Sequence, residues 1–235
     1  MKLSVAVYCD FDGTITEDVV DVLLTDLADP RWREIEAQWT AGRIGSRECL
    51  ARQIPLIRGG WAAIARRLQH VKLEPTFRPF VAWCRSRGIP VRIVSDGPDR
   101  VIDTLLSREG ITVDGVWANH LEESSMGRLS IRFPHPSTSP QCRAGLCKCR
   151  LLKREAAHTL RVVIGDGQSD YCWAAQADRL FAKAALLTHC RMRGIPCTAF
   201  DDFDAIRLAL EEFLGSAEKP KEERVQRQPQ AAVHG

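Results

Sequence analysis

Residues 4–14 read Ser4-Val5-Ala6-Val7-Tyr8-Cys9-Asp10-Phe11-Asp12-Gly13-Thr14, and this stretch decides the fold. Its first half is a short apolar run with β-branched residues, the pattern of a strand buried in a parallel sheet. The acidic, glycine-bearing half is turn-like. In open α/β sheets ligands bind beyond the carboxyl ends of strands, so the turn marks a candidate site. Two carboxylates spaced by two residues point to the same side of an extended chain. Asp10 can then attack phosphorus, as carboxylates do in forming acyl-phosphates, while Asp12 gives and takes protons. Gly13 allows a tight fold, and Thr14 offers its hydroxyl to the loop or to phosphate. A plain acidic turn is the competing reading of these residues alone.

Working outward, residues 17–72 show helical spacing without a strand signal. Segments 18–28, 32–39, 46–54 and 61–68 each carry an apolar stripe, the third N-capped by Ser46. Strand and helix then alternate. Helices are expected at 77–87, 101–108, 151–158, 171–177 and 203–214. Strands are expected at 91–94, 113–118, 129–133, 162–165 and 180–182, the second and third forming a hairpin around Met126-Gly127. This predicts an α/β core from residues 1–16 and 73–214, an inserted helical cap at 17–72, and a disordered tail at 215–235.

Two further strands end in polar loops. Ser95-Asp96-Gly97 follows VRIV and could cradle phosphate through a hydroxyl and backbone N–H groups. Gly165-Asp166-Gly167-Gln168-Ser169-Asp170 follows VVIG. Its carboxylates suit a hard cation, Asp166 directly and Asp170 through water or by orienting the site. A cation is also needed beside the nucleophile, and Lys148 and Lys153 are the candidates, Lys148 being preferred as it stands in a loop entering a helix. Four converging carboxylates would repel one another, which calls for Mg²⁺ as cofactor.

The 235-residue chain has 33 basic and 30 acidic residues, for a formal charge of +3. No basic stripe suggests a nucleic-acid partner, and no apolar run suits a membrane helix. With no export signal and nine cysteines, the expected compartment is the cytoplasm. Cys142, Cys147 and Cys149 cluster near His135, but their spacing fits loop thiols better than a zinc site. The tryptophans of the helical block leave a homodimer open.

Taken together, DFDGT (10–14), Ser95, Lys148 and GDGQSD (165–170) resemble the motifs of the haloacid dehalogenase-like (HAD) phosphatases. The resemblance covers about residues 1–214. It implies a Rossmann-like parallel sheet with an inserted helical cap of the phosphoserine-phosphatase type. It also implies Asp10, Asp12 and Lys148 as catalytic residues, and phosphate bound by Thr14, Ser95, Asp96 and Gly97. Mg²⁺ would lie on Asp10, the Asp12 carbonyl and Asp166, with Asp170 nearby. The expected reaction is Mg²⁺-dependent hydrolysis of a small phosphorylated metabolite through an aspartyl-phosphate.

DFDGTIT, residues 29–32, Ala118-Asn119-His120, Phe133-Pro134-His135, Cys147-Lys148-Cys149 and the segment around 181–183 are similar to family members that use a methionine-salvage enol-phosphate. Those members tend to carry Ser-Gly-Gly where this chain has Ser95-Asp96-Gly97. Against phosphoserine, Gly13 replaces a serine and Val19 stands where a substrate-binding glutamate is expected. Phosphoserine and phosphoethanolamine/phosphocholine substrates, a phosphotransferase, and a non-catalytic phosphoester-binding protein are the alternatives. Glu17, Asp18, Arg43, Arg47 and Arg52 are candidate substrate contacts from the cap.

Overall fold

β1 (Ser4–Cys9) runs through the middle of a seven-stranded sheet and has a core on each face. Val5, Val7 and Cys9 enter one buried cluster, while the alternating Ala6 and Tyr8 enter another. This explains why the strand is apolar throughout. The computed structural model describes residues 4–137, 142–156 and 158–218.

From β1 the chain enters a helical insert of α1 (Val19–Leu27), α2 (Trp32–Thr40), α3 (Ser46–Gln53) and α4 (Gly60–Leu68). It continues through α5 (Phe77–Ser86), β2 (Val91–Pro98), α6 (Asp99–Arg108), β3 (Gly115–Glu123) and β4 (Leu129–Arg132). Then follow α7 (Lys148–Leu152), β5 (Thr159–Gly165), α8 (Tyr171–Ala174), β6 (Arg179–Ala182), α9 (Ala184–Arg193), β7 (Thr198–Ala199) and α10 (Phe203–Glu218).

The sheet order is β4-β3-β2-β1-β5-β6-β7, parallel except for the antiparallel β3/β4 hairpin. The fold is thus a Rossmann-like α/β sheet with helices on both faces. Successive strands leave β1 in one direction up to β4, and β5 to β7 lie on its other side. β1 and β5 therefore flank the topological switch point, where a crevice opens at their carboxyl ends. Val19, Leu23, Leu24, Leu50, Ile54, Ile64 and Leu68 join the same buried cluster as β1, so the insert shares the main core. Burying each such side chain contributes about 1.5–3 kcal/mol.

The structure corrects several expectations. β2 continues to Pro98 with an irregular register between Val94 and Pro98, so Ser95-Asp96-Gly97 lies in a bulged strand end and not in a turn. Ser46 is the first residue of α3 and not its N-cap; the cap position is Gly45, and the Ser46 hydroxyl points elsewhere. α7 starts at Lys148 and stops at Leu152, short of the helix expected at 151–158. Glu155 turns back to pair with Tyr8 and Arg92, and its carboxyl lies below the usual range despite partial burial, because both partners donate to it.

α9 was not expected, because only Leu186 and Cys190 of its ten residues are buried and no clear stripe forms. β7 has two exposed residues and carries no apolar signal. α10 extends to Glu218, past the start of the expected tail, and the rest of that tail (219–235) lies outside the described residues. The insert's tryptophans do not form an exposed face. Trp32 is buried, Trp39 faces a cleft, and half-buried Trp61 lies 4.0 Å under the Arg100 guanidinium.

Candidate active site

Asp10 is the first residue beyond β1, held there by its own N–H donating to the Ile164 carbonyl at 2.9 Å. One oxygen of its carboxylate accepts the Phe11 N–H at 2.7 Å. The other lies 2.6 Å from Lys148 Nζ and 3.3 Å from Ser169 Oγ. Lys148 is fully buried, and its ammonium also donates to Asp170 at 2.7 Å and Ser169 at 3.1 Å. Its Nζ stands 5.0 Å above the Trp173 ring, a further favourable contact for a cation. Lys153 is exposed, so of the two candidates the structure brings only Lys148 to Asp10.

Burial opposes the charge on Lys148, but Asp10 and Asp170 outweigh it and hold the ammonium protonated, above the usual lysine range. Asp10 is itself pushed well up, first by burial and then by the nearby Asp170 charge. Asp166 rises to about 6, again chiefly through burial, although the Thr14 hydroxyl donates to it at 2.6 Å. Oxygens of Asp10, Asp166 and Asp170 all lie within 4.8 Å of one another. Two of these three carboxylates are raised by burial and crowding, with a single buried ammonium among them. That donor set suits a divalent cation with hard oxygen ligands.

The three are not equivalent. Asp170 accepts the N–H groups of Asp166 and Gly167, each at 3.1 Å, on one oxygen and Lys148 on the other. It organises the loop and the lysine, and Asp10 is likewise held on both oxygens, whereas among the described residues Asp166 takes only the Thr14 hydroxyl and is the freest of the three to meet a cation. Gly13 has φ +74°, and a Cβ there would collide with the Asp166 carboxylate. The DFDGT loop can therefore approach Asp166 only with glycine at this position.

Asp12 stands apart from the acidic trio. Its carboxylate accepts the Val19 N–H at 3.1 Å and the Ser95 hydroxyl at 3.4 Å. Burial, followed by the Asp18 charge, pushes it up to about 8. A carboxyl group in that state carries a proton near neutrality and can donate it. Ser95 Oγ accepts the Gly97 N–H at 2.9 Å, and a Cβ on Gly97 would run into Asp12.

Two phosphate-cradle candidates are differently engaged. The Thr14 hydroxyl is given to Asp166, and Thr14 does not border the cleft. The Asp96 carboxylate is turned to Ser46 and to the Leu146 N–H, each at 2.6 Å. Ser95, Asp96 and Gly97 all border the cleft beside Asp10 and Asp12.

The cleft, a cavity of about 130 Å³, lies between these strand ends and the helical insert. Its roof is built from Asp18, Val20, Asp21, Glu36, Trp39, Ser46, Cys49, Leu50 and Gln53, and among the described residues no arginine or lysine lines it. Of the five cap residues expected to touch substrate, only Asp18 is there. Arg47 instead covers the Phe133 ring, and Arg52 pairs with Glu48. Val19 is fully buried, so its side chain belongs to the core and its N–H to Asp12. Sequence reasoning missed Ser169, although it sits inside the GDGQSD motif, one residue before Asp170.

Cys147 and Cys149 approach to 3.3 Å between sulfurs. Among the described residues, the acidic trio is the cluster whose ligand atoms lie close enough together for a metal.

The model of the haloacid dehalogenase-like hydrolase family matches residues 7–175, and the chain belongs to that family. Within it the chain is a phosphatase acting on phosphomonoesters, which sets aside the non-catalytic binding protein. A 2-hydroxy-3-keto-5-methylthiopentenyl-1-phosphate phosphatase of Geobacillus kaustophilus is 34% identical over 220 residues, covering 88% of this chain and 97% of its own length. The enzyme of the same name from Geobacillus thermodenitrificans is 32% identical, covering 86% and 94%. A phosphoserine phosphatase solved as a phospho-aspartyl intermediate analogue superposes with a TM-score of 0.65 at 16% identity, over 88% of this chain and 99% of that one. At that identity the likeness concerns the fold.

Proposed function

We propose that this chain is a Mg²⁺-dependent phosphomonoesterase that forms an aspartyl-phosphate on Asp10 and acts on 2-hydroxy-3-keto-5-methylthiopentenyl-1-phosphate. The observation that carries the mechanism is the buried Lys148 ammonium, 2.6 Å from Asp10 at the base of a cleft that Asp12 also borders. Mg²⁺, held by Asp10, Asp166 and the Asp12 carbonyl that the family resemblance implies, would neutralise charge on the phosphoryl oxygens.

In the first half-reaction an Asp10 oxygen bonds to phosphorus as the ester P–O bond breaks. Asp12 gives its proton to the departing oxygen. Asp12, now a carboxylate, then takes a proton from water, whose oxygen attacks phosphorus. The Asp10–phosphorus bond breaks, inorganic phosphate leaves, and both carboxyl groups regain their starting states. Lys148 keeps the Asp10 side chain oriented and offsets charge throughout. Ser95 and Gly97 are the phosphate-facing groups of β2.

The roof supports the substrate assignment. A phosphoserine carboxylate would meet Asp18, Asp21 and Glu36 with no cation to balance it. A neutral thioether tail instead finds Val20, Trp39, Cys49 and Leu50. One observation favours a second reading: an aromatic ring among carboxylates also suits a cationic tail, as in phosphoethanolamine or phosphocholine. No helix among the described residues is long and apolar enough to cross a membrane. All nine cysteines are free, which supports a reducing, cytoplasmic setting.

The test is phosphate release from the methylthio enol-phosphate, phosphoserine, phosphoethanolamine and phosphocholine, with and without chelator. We expect the enol-phosphate to lead in kcat/KM, EDTA to abolish turnover, and Asp10→Asn to be inactive. Full activity of Asp10→Asn would remove the proposed nucleophile. Preference for a cationic substrate would replace the enol-phosphate by the second reading.

A further inference from the structure

Asp96 joins three parts of the chain that are remote in sequence. One carboxylate oxygen accepts the hydroxyl of Ser46, at the start of α3 in the helical insert, at 2.6 Å. The other accepts the N–H of Leu146, in the loop that carries Lys148, at 2.6 Å. Ser46 Oγ in turn accepts the Gly145 N–H at 3.1 Å, which closes a triangle between insert, strand end and lysine loop. Fully buried Asn119, on β3, braces the corner by donating to the Asp96 carbonyl at 2.6 Å.

The insert and the loop also meet directly. Arg143 donates to the carbonyls of Gly42 and Arg43 at 2.8 and 3.0 Å, and its own carbonyl accepts the Arg47 N–H at 3.3 Å. A Cβ on Gly45 would strike the Arg143 backbone, and one on Gly145 would lie 2.9 Å from Asn119 and Phe133. Glycine on both sides permits this close approach.

Both Asp96 oxygens thus have donors. A phosphate dianion presents acceptors to its surroundings, so a carboxylate is a poor partner for it. We propose that Asp96 is a positioning residue: it fastens the helical insert and the lysine loop to one point of the sheet, so that seating the insert and placing Lys148 beside Asp10 are a single event. The proposal rests on the catalytic roles of Asp10 and Lys148 given above. It adds that the roof of the cleft controls its chemistry through Ser46, whose hydroxyl bonds to Asp96 and Gly145. Small misplacements of a catalytic group cost rate steeply, by up to about 100-fold for 1 Å.

The experiment uses Ser46→Ala, Ser46→Thr, Asp96→Ala and the Ser46→Ala/Asp96→Ala double variant in the full chain. Turnover of p-nitrophenyl phosphate, inhibition by inorganic phosphate, and amide hydrogen exchange are measured on each. Expected for either alanine variant is a drop in kcat of about 10- to 100-fold with KM and phosphate inhibition within about threefold of wild type. The double variant should fall little below the worse single, as residues acting as one unit do. Exchange should quicken together at 46–53 and 145–150 in each alanine variant, and Ser46→Thr, which keeps the hydroxyl, should restore kcat.

Four results would overturn the proposal: additive losses, faster exchange in one segment only, a lower melting temperature with kcat intact, or a selective rise in KM and phosphate inhibition constant for Asp96→Ala. The last would make Asp96 a phosphate ligand. If wild type itself failed to release phosphate with Mg²⁺, the phosphatase mechanism would be at fault instead.

Discussion

On the floor of the cleft, Asp10, Lys148, Ser169 and Asp170 hold one another through buried, charged contacts of 2.6 to 3.3 Å. The roof above them offers Val20, Trp39 and Leu50 with Asp18, Asp21 and Glu36 set among them. Each floor group has a fixed partner, so removing one leaves an uncompensated charge in the interior. The roof residues line the cleft side by side, so losing one removes contact area and leaves the others in place. In the proposed reaction the floor therefore carries reactivity, and the roof carries the choice of leaving group.

The sharpest way to break this division is Lys148→Met. It should abolish measurable turnover and lower stability by about 3–5 kcal/mol, read by denaturant unfolding, because Asp10 and Asp170 lose their shared cation. A folded variant with near wild-type turnover would end the description of the floor as one unit. Asp12→Asn comes next. It should lower kcat by about 10²- to 10⁴-fold for an alkyl phosphate and clearly less for p-nitrophenyl phosphate, whose leaving group needs no proton. Equal losses on both esters would separate Asp12 from proton transfer.

Gly97→Ala tests the floor without touching a charge. The new Cβ would push on the Asp12 carboxylate, and a roughly 10- to 100-fold fall in kcat is expected with little change in KM. Trp39→Ala then tests the roof. KM for the enol-phosphate should rise about tenfold, while p-nitrophenyl phosphate keeps its kcat. If Trp39→Ala slowed both esters alike, roof and floor would not be separable. The smallest effect is expected from Glu36→Gln, a change within a few-fold for a neutral substrate and a clear loss of affinity for a cationic one.

The same contrast governs what could be read in advance. Floor residues lie at strand ends, where a short apolar run gives way to Asp, Ser and Gly, and that change is visible locally. Asp10, Asp12, Ser95 and Asp166 were legible for this reason, and so was the sheet they stand on; Lys148, the first residue of α7, was read instead from its place in a loop entering a helix. The roof comes from three helices whose cleft-facing sides depend on how the insert docks, which helical spacing does not reveal. Arg43, Arg47 and Arg52 read as plausible substrate contacts, yet the residues facing the cleft are mostly apolar or acidic. Ser46 looked like a helix cap because serine prefers that position, but its hydroxyl has a distant partner that only the tertiary fold supplies. Asp96 reads as part of a phosphate cradle because of its neighbour Ser95; it borders the cleft, and its carboxylate takes the Ser46 hydroxyl and the Leu146 N–H.

The pairing of β1 with β2 and β5 has a consequence for the making of the protein. Val7 lies opposite Val91, and Ser4 opposite Thr159, so the first strand has no permanent neighbour until much of the chain exists. During synthesis Asp10 leaves the ribosome long before Lys148, Asp166 and Asp170, and the apolar β1 must wait unpaired. Such long-range closure slows folding and favours association with other exposed strands. A nascent chain halted before residue 148 would have Asp10 and lack the lysine beside it. Catalytic competence should therefore appear late and abruptly, once β5 docks against a strand that was made first.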